Sequence, residues 1–277
     1  MNHHDAHGFC EISITEKTAM PSHTDEQARL FDGYGLYYVT SGEGSFFAEG
    51  AEYPLSCGTA VLVRPLVCHS IRSYDTSRLA YREITFLTSS LSAEVLDLLD
   101  GVTLGGANAR LFSVSQLSES VTSAFSRIGE LSLIPDKIQG IYRCALLTEI
   151  IVLLSASDGE DTIAQNKGLG SRLSKYIDSN LTDNLSLDAL SRAFFVSKYH
   201  LCRAFKAYNG ISVHEYIIKK RVLLSKQLIE AGEAPSGVAY KVGFGDYSAF
   251  YRAYVKLTGK SPSADGAKPE KNGTTQN

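Results

Sequence analysis

The chain has no tryptophan, only two methionines and only seven prolines in 277 residues. It also lacks a C-x-x-C pair, a G-x-S-x-G elbow and an H-E-x-x-H helix motif. Those absences exclude the usual signatures of zinc ribbons, serine hydrolases and zinc proteases. Gly259-Lys260-Ser261 looks like the end of a P-loop, but the first glycine of that motif would fall on Tyr254. No catalytic residue, metal ligand or cofactor is assigned. Cys10, Cys57, Cys68, Cys144 and Cys202 form no paired framework, which suits a reducing, cytoplasmic setting. No apolar run approaches the ~20 residues of a membrane span, and the polar N-terminus is no signal peptide, so no membrane partner is expected. His3, His4 and His7 lie in that terminus and read as part of a tail.

Net charge is also small, at −3, but it is unevenly spread. Residues 167–268 carry 16 basic and 8 acidic side chains, whereas residues 1–166 carry 10 and 21. A basic half can displace counterions from phosphate, and an acidic half avoids it. The basic half contains a degenerate repeat. SKYHLCRAFKAYNGIS from Ser197 and DYSAFYRAYVKLTGKS from Asp246 align with Arg203 on Arg252, Ala204 on Ala253, Gly210 on Gly259 and Ser212 on Ser261. Upstream, Leu190 and Ser191 match Val238 and Ala239, so the second copy has one more residue in its turn. Short helix, turn and longer helix, given twice with an exposed arginine, points to double-stranded DNA.

The first ninety residues read as short strands: Leu36–Thr40, Ser45–Ala48, Thr59–Val63, His69–Tyr74 and Tyr81–Phe86, separated by glycine turns. That pattern predicts a small antiparallel barrel whose interior takes a small polar ligand. Tyr37, His69, Tyr81 and Glu83 are the predicted ligand contacts, Tyr81 and Glu83 sharing a strand face. Helical periodicity follows at Ser92–Leu99, Ser115–Leu131 and Asp136–Leu154. The last has an apolar stripe including Ile138, Ile141, Tyr142 and Ala145, which reads as a homodimer contact with core packing as the alternative. The resulting division is barrel 1–90, helical dimerisation segment 91–155, linker 156–167, helix-turn-helix domain 168–266 and a disordered tail 267–277.

Helix boundaries in the basic half follow from caps: Ser186, Ser197, Ser212 with Glu215 three residues on, and Asp246 at starts, Gly210 and Gly259 at stops, Pro235 in a first turn. The connecting helix Ser212–Ala231 spans about 30 Å at ~1.5 Å per residue, close to the ~34–36 Å of one B-DNA turn. One chain could therefore present both recognition helices to successive major-groove segments. Side chains three or four apart share the face toward bases. This selects Tyr199, Cys202 and Arg203 in the first copy and Tyr247, Ser248 and Arg252 in the second, with packing as the alternative for the tyrosines. Lys198, Lys206 and Lys256 are expected at phosphate.

The region 169–264 resembles the DNA-binding domain of the AraC/XylS family of bacterial transcription regulators. The matching residues are Leu190-Ser191, Ser197, Leu201, Arg203, Phe205-Lys206, Gly210-Ile211-Ser212, Tyr216, Arg221, Val238-Ala239, Val242-Gly243-Phe244, Arg252, Gly259 and Ser261-Pro262. Ser191 stands where the family has Ala, Tyr254 where it has Phe, and Asp265-Gly266 replaces an expected Tyr-Arg; these read as tolerated packing changes. Tyr37-Tyr38-Val39-Thr40-Ser41-Gly42-Glu43-Gly44, Leu55, Gly58, Leu62, Pro65 and His69 resemble the family's cupin sensor. Metal-binding cupins have a close His pair and a Glu; here the expected cluster is Phe31-Asp32-Gly33-Tyr34. The resemblance implies an α+β two-domain regulator that is not an enzyme, with a small-molecule effector and RNA polymerase as candidate partners. The alternatives are a cupin metalloenzyme fused to a DNA anchor, and a regulator whose N-terminal domain docks a protein.

Overall fold

The computed structural model describes residues 12–19, 28–74, 78–102, 109–128, 135–161 and 168–266; the predicted tail and the histidines near the N-terminus lie outside them. The chain divides at Lys167/Gly168 into an α+β unit and an all-helical one.

The first unit holds strands β1 (Ile12–Ala19), β2 (Tyr34–Ser41), β3 (Glu43–Ala48), β4 (Ala51–Ser56), β5 (Ala60–Val63), β6 (His69–Ser73), β7 (Leu79–Phe86), β8 (Ala109–Phe112) and β9 (Glu160–Asp161). They form two antiparallel sheets, β1-β7-β2-β5-β8-β9 and β4-β3-β6. The expected barrel is not closed. Among the described residues no ladder joins the sheets, and the isolated bridge Arg29–His69 ties a preceding segment to β6. The tight turn Glu49-Gly50, with φ of 53° and 77°, pairs β3 with β4, and Pro54 supplies no donor on that outer strand.

Both faces of the large sheet are buried, which is why β2 reads as a nearly continuous apolar run. Tyr37, Val39, Val61, Val63 and Tyr81 face the small sheet's Phe46, Leu55 and Ile71. On the other face Leu36, Tyr38, Leu62, Ile84 and Phe86 pack against α1 (Ala93–Val102), α2 (Glu119–Ile128) and α3 (Asp136–Ser155). Sheet and helices therefore share a core, and β8 joins the sheet from within the segment expected to be purely helical. Likewise β9 lies inside the expected linker and pairs with β8.

Helix α3 is more apolar than the sequence reading allowed: Ile138–Ser155 has a mean hydropathy of 1.5, enough by length and composition to cross a membrane. Only 28% of that stretch is buried. Leu146, Leu147, Ile150, Ile151 and Leu154 enter the core, while Ile138, Ile141 and Val152 are exposed. Cys57, Cys68 and Cys202 are free thiols, whereas Cys144 on α3 is disulfide-bonded, contrary to the expectation of no pairing.

The second unit comprises α4 (Leu169–Ser179), α5 (Leu187–Phe194), α6 (Lys198–Asn209), α7 (Val213–Glu230), α8 (Pro235–Lys241), α9 (Tyr247–Thr258) and α10 (Pro262–Asp265). The cap residues act as predicted, except that Glu215 pairs with Lys219 at 2.9 Å and returns no bond to Ser212. Ser186, Ser197, Ser212 and Asp246 accept from the amides of Ala189, His200, Glu215 and Ala249. Gly259 ends α9 at φ 75°. Strut α7 is fastened to α4 through Asp178, which accepts from Tyr216 at 3.1 Å and pairs with Lys220 at 3.2 Å. Its Val222 and Ile229 join Val238, Ala239, Val242, Phe244, Phe250 and Tyr254 in the core of the second helix-turn-helix. Two departures from the family pattern are coupled there: the buried Tyr254 hydroxyl donates to Asp265 at 2.7 Å.

Candidate nucleic-acid interface and sensor site

Recognition helices α6 and α9 are amphipathic because Leu201 and Phe205, and Phe250 and Tyr254, are fully buried at a spacing of four. Their opposite faces are free to meet a partner. On α6 Tyr199 is 76% exposed, Arg203, Lys198 and Lys206 are exposed, and Cys202 is half-buried. Tyr199, Cys202, Arg203, Lys206 and Ala207 line a shallow concavity of about 390 Å³, so the predicted α6 set is brought together. Lys198 is already paired with Asp188 at 2.6 Å, and a phosphate would have to compete for it.

On α9 Ser248, Arg252 and Lys256 are exposed as expected. Tyr247 is not. It is half-buried with its ring 5.7 Å from Phe250. Tyr251, exposed at 43%, shares the face with Ser248 and Arg252 in its place. The repeat offset puts it opposite Cys202, a signal that was present in the alignment.

In the first unit Tyr37, His69, Tyr81 and Glu83 are all buried between the sheets. The ladder sets Tyr37 opposite Glu83, and Thr15 and Lys17 on β1 opposite Glu83 and Tyr81. Glu83 accepts from Arg29 at 2.5 Å and Thr15 at 3.3 Å, and pairs with Lys17. Arg29 also donates to the Tyr81 hydroxyl at 2.6 Å. Arg29 is itself placed by backbone bonds in both directions with His69. Gly35 leaves room for the assembly, since a Cβ there would meet the rings of Phe31 and Tyr37 at 2.9 and 3.0 Å.

His69 Nδ1 lies 2.9 Å from the Val67 carbonyl, which can only accept, so Nδ1 carries the proton. Nε2 then accepts from the Tyr37 hydroxyl at 2.7 Å. Phe31, Tyr37 and Phe46 surround the imidazole with ring centroids at 6.1, 5.3 and 5.7 Å. Burial lowers the His69 pKa to about 4, with Arg29 adding to the depression against the pull of the Val67 carbonyl. Burial also raises Tyr37 well above its ordinary value, so it stays a donor. For Glu83 burial pushes upward, but Arg29 and Lys17 outweigh it and hold the carboxyl below the usual range. The cluster thus contains two cations, one carboxylate and neutral hydrogen-bonding groups, suited to holding a polar ligand by exchange of partners. Among the described residues no three of His, Cys, Asp and Glu converge as metal ligands do.

A family model described as an AraC-like ligand binding domain matches residues 21–169, more than half of the chain, and one described as a helix-turn-helix domain matches residues 190–266. The chain belongs to the AraC family. As a member it is a DNA-binding transcription regulator with an N-terminal ligand-binding domain. This AraC-family chain is 24% identical over 217 residues to the HTH-type transcriptional regulator YbfI of Bacillus subtilis, covering 78% of each. It is 22% identical over 260 residues to the transcriptional activator RhaS of Shigella flexneri, covering 91% of each. Among solved structures, ToxT from Vibrio cholerae O395 aligns over 91% of this chain and 97% of its own, at a TM-score of 0.41 and 16% identity.

Sequence reasoning missed Arg29, Lys17 and Thr15. Lys17 and Thr15 share a period-two face of β1, but nothing local marks that edge strand as paired with β7. Arg29 lies outside any named strand and carries no periodic signal. The residues expected at a homodimer contact are divided: Ile138, Ile141 and Ala145 are exposed, and Tyr142 is partly buried against the core.

Proposed function

We propose that this AraC-family regulator reads bases through Tyr199, Cys202 and Arg203 on α6 and Ser248, Tyr251 and Arg252 on α9. Lys206 and Lys256 are the proposed phosphate contacts, with Lys198 once released from Asp188. The observation that carries this reading is the pair Arg203 and Arg252, exposed at equivalent positions of the repeat, where each guanidinium can take guanine O6 and N7. Binding of Arg203→Ala and Arg252→Ala on a selected duplex and on random duplex tests it. Equal losses on both would show that the arginines hold phosphate and read nothing.

The proposed effector is a small polar molecule held by Tyr37, His69, Tyr81 and Glu83, joined by Arg29 and Lys17. A thermal-shift screen of metabolites, repeated on Arg29→Ala, is the check: a true ligand raises the melting temperature of the parent and loses that effect in the variant. The aromatics packed around His69 support a second reading, in which this unit docks a protein, and a screen with no stabilising metabolite would favour it. The apolar exposed side of α3 supports a two-fold homodimer through Ile138, Ile141 and Ala145. Replacing Ile141 and Ala145 with lysine should give a folded monomer in sedimentation, and a dimer there would move the interface elsewhere. RNA polymerase as a further partner, a cytoplasmic location and the absence of catalysis complete the proposal; they fit relatives named as regulators.

A further inference from the structure

The two helix-turn-helix turns are not equivalent. Counting from Leu190 on Val238, Phe195 aligns with Gly243, and both adopt positive φ, 54° and 94°. Glycine takes this conformation freely, whereas a β-carbon makes it strained. Gly243 has no alternative. A Cβ there would meet the Arg221 guanidinium at 2.8 Å and the Thr182 carbonyl at 2.9 Å. Phe195 lies in the open and is 95% exposed.

This turn also has a side-chain bond of a kind that its twin lacks. The Val196 amide donates to the Ser191 carbonyl at 3.2 Å, and the Ser191 hydroxyl donates back to the Val196 carbonyl at 2.5 Å. Ala239 keeps the matching backbone bond, from the Phe244 amide at 3.0 Å, but has no hydroxyl to add. Ser191 is therefore more than a tolerated packing change, because it fastens a strained turn that displays an aromatic ring. Next to it in the chain Arg192, Lys198, Tyr199 and His200 are exposed as well, so the ring stands just ahead of the start of α6. Strain kept in place by an extra bond, at the edge of a binding surface, is the pattern that points to use.

We propose that Phe195 is a specificity contact to duplex DNA, its ring packing on a thymine C5-methyl at the margin of the step read by α6. Apolar contact with that methyl is a recognised mode of major-groove readout. The second helix-turn-helix, with glycine at this place, reads no such position. The inference rests on α6 being the base-reading helix, which the Arg203→Ala comparison tests by itself.

The experiment uses the full chain and duplexes it selects from a randomised pool. Each thymine of the selected duplex is replaced in turn by uracil, which removes only the methyl. With the parent chain one position should lose affinity by about four-fold, the worth of one buried methyl group. With Phe195→Gly that sensitivity should vanish and overall affinity should fall roughly ten-fold, while the melting temperature holds or rises because glycine relieves the strain. Phe195→Trp supplies the chain's single tryptophan, whose emission should shift when the selected duplex is added. An unshifted emission, or a Phe195→Gly chain that matches the parent in affinity and in the uracil scan, would overturn the proposal. Such a result would leave the ring to a protein partner. If Arg203→Ala also lost nothing, the base-reading assignment of α6 would fall with it.

Discussion

Arginine serves opposite purposes in the two halves of this regulator. Arg29 is turned inward, with one guanidinium nitrogen on Glu83 and the other on the Tyr81 hydroxyl. Arg203 and Arg252 are turned outward, and among the described residues no ion pair is recorded for either. A charge between two sheets must be answered by the protein itself, since leaving it alone costs several kcal/mol. A charge on a helix face is answered by water until a phosphate or base replaces it. The first kind of site stabilises the fold and yields to a ligand only by exchange; the second contributes almost nothing to folding and is ready for its partner.

Substitutions should separate the two kinds. The largest effect is expected from Glu83→Gln, which leaves Arg29 and Lys17 facing a neutral amide: about 3 kcal/mol of stability should be lost in urea unfolding followed by circular dichroism. A loss under ~1 kcal/mol would show that the buried pair is not what holds those strands. Next comes pH. The folded pKa of His69, about 4, lies below its unfolded value, so the unfolded chain binds a proton that the native one refuses. Stability is full above pH ~6.5 and falls as pH drops toward 4, by up to about 3 kcal/mol. Glu83, also depressed, adds a loss of the same sign at lower pH. His69→Phe should flatten the slope between those values, and an unchanged slope would assign it to other groups.

Gly243→Ala should cost about 2 kcal/mol, through the strained φ and the displacement of Arg221. That guanidinium now donates to the carbonyls of Leu181, Gly243 and Asp183. The smallest folding effect belongs to the outward arginines. Arg203→Ala and Arg252→Ala should change unfolding by less than ~0.5 kcal/mol, while each weakens binding to the selected duplex by about 1–3 kcal/mol. A large folding defect in either would erase the contrast between the halves.

The same contrast decides what could be read beforehand. The starts of α5 to α9 and the ends of α6, α7 and α9 were legible to within a residue or two because their limits are set by local chemistry: Ser186, Ser212, Asp246 and Gly259 act within one turn of where they stand. Strands β2, β3, β5, β6 and β7 were found from their apolar runs and glycine turns. Strands β1, β4, β8 and β9 were not, because β1 and β4 are polar edge strands, β8 and β9 are very short, and β1 finds its partner some seventy residues away. The buried polar cluster was half legible for this reason. Tyr37, Tyr81 and Glu83 lie on recognised strands, whereas Lys17 and Arg29 reach them only through pairing that no local pattern announces. The half-burial of Tyr247 was not legible, because helical spacing fits a packed ring and an exposed one equally well until Phe250 fixes its place.

On the proposed sensor reading, Glu83 is a resident rival of the effector for Arg29. A carboxylate tethered within 2.5 Å of Arg29 competes with any incoming group at a high local concentration, however dilute the cell's own supply. If the vacated arrangement is populated at about one part in a hundred, apparent affinity falls about a hundred-fold below intrinsic affinity. The regulator would then ignore traces of its effector and answer only to abundance, with the threshold written into one side chain and adjustable by shortening it to aspartate.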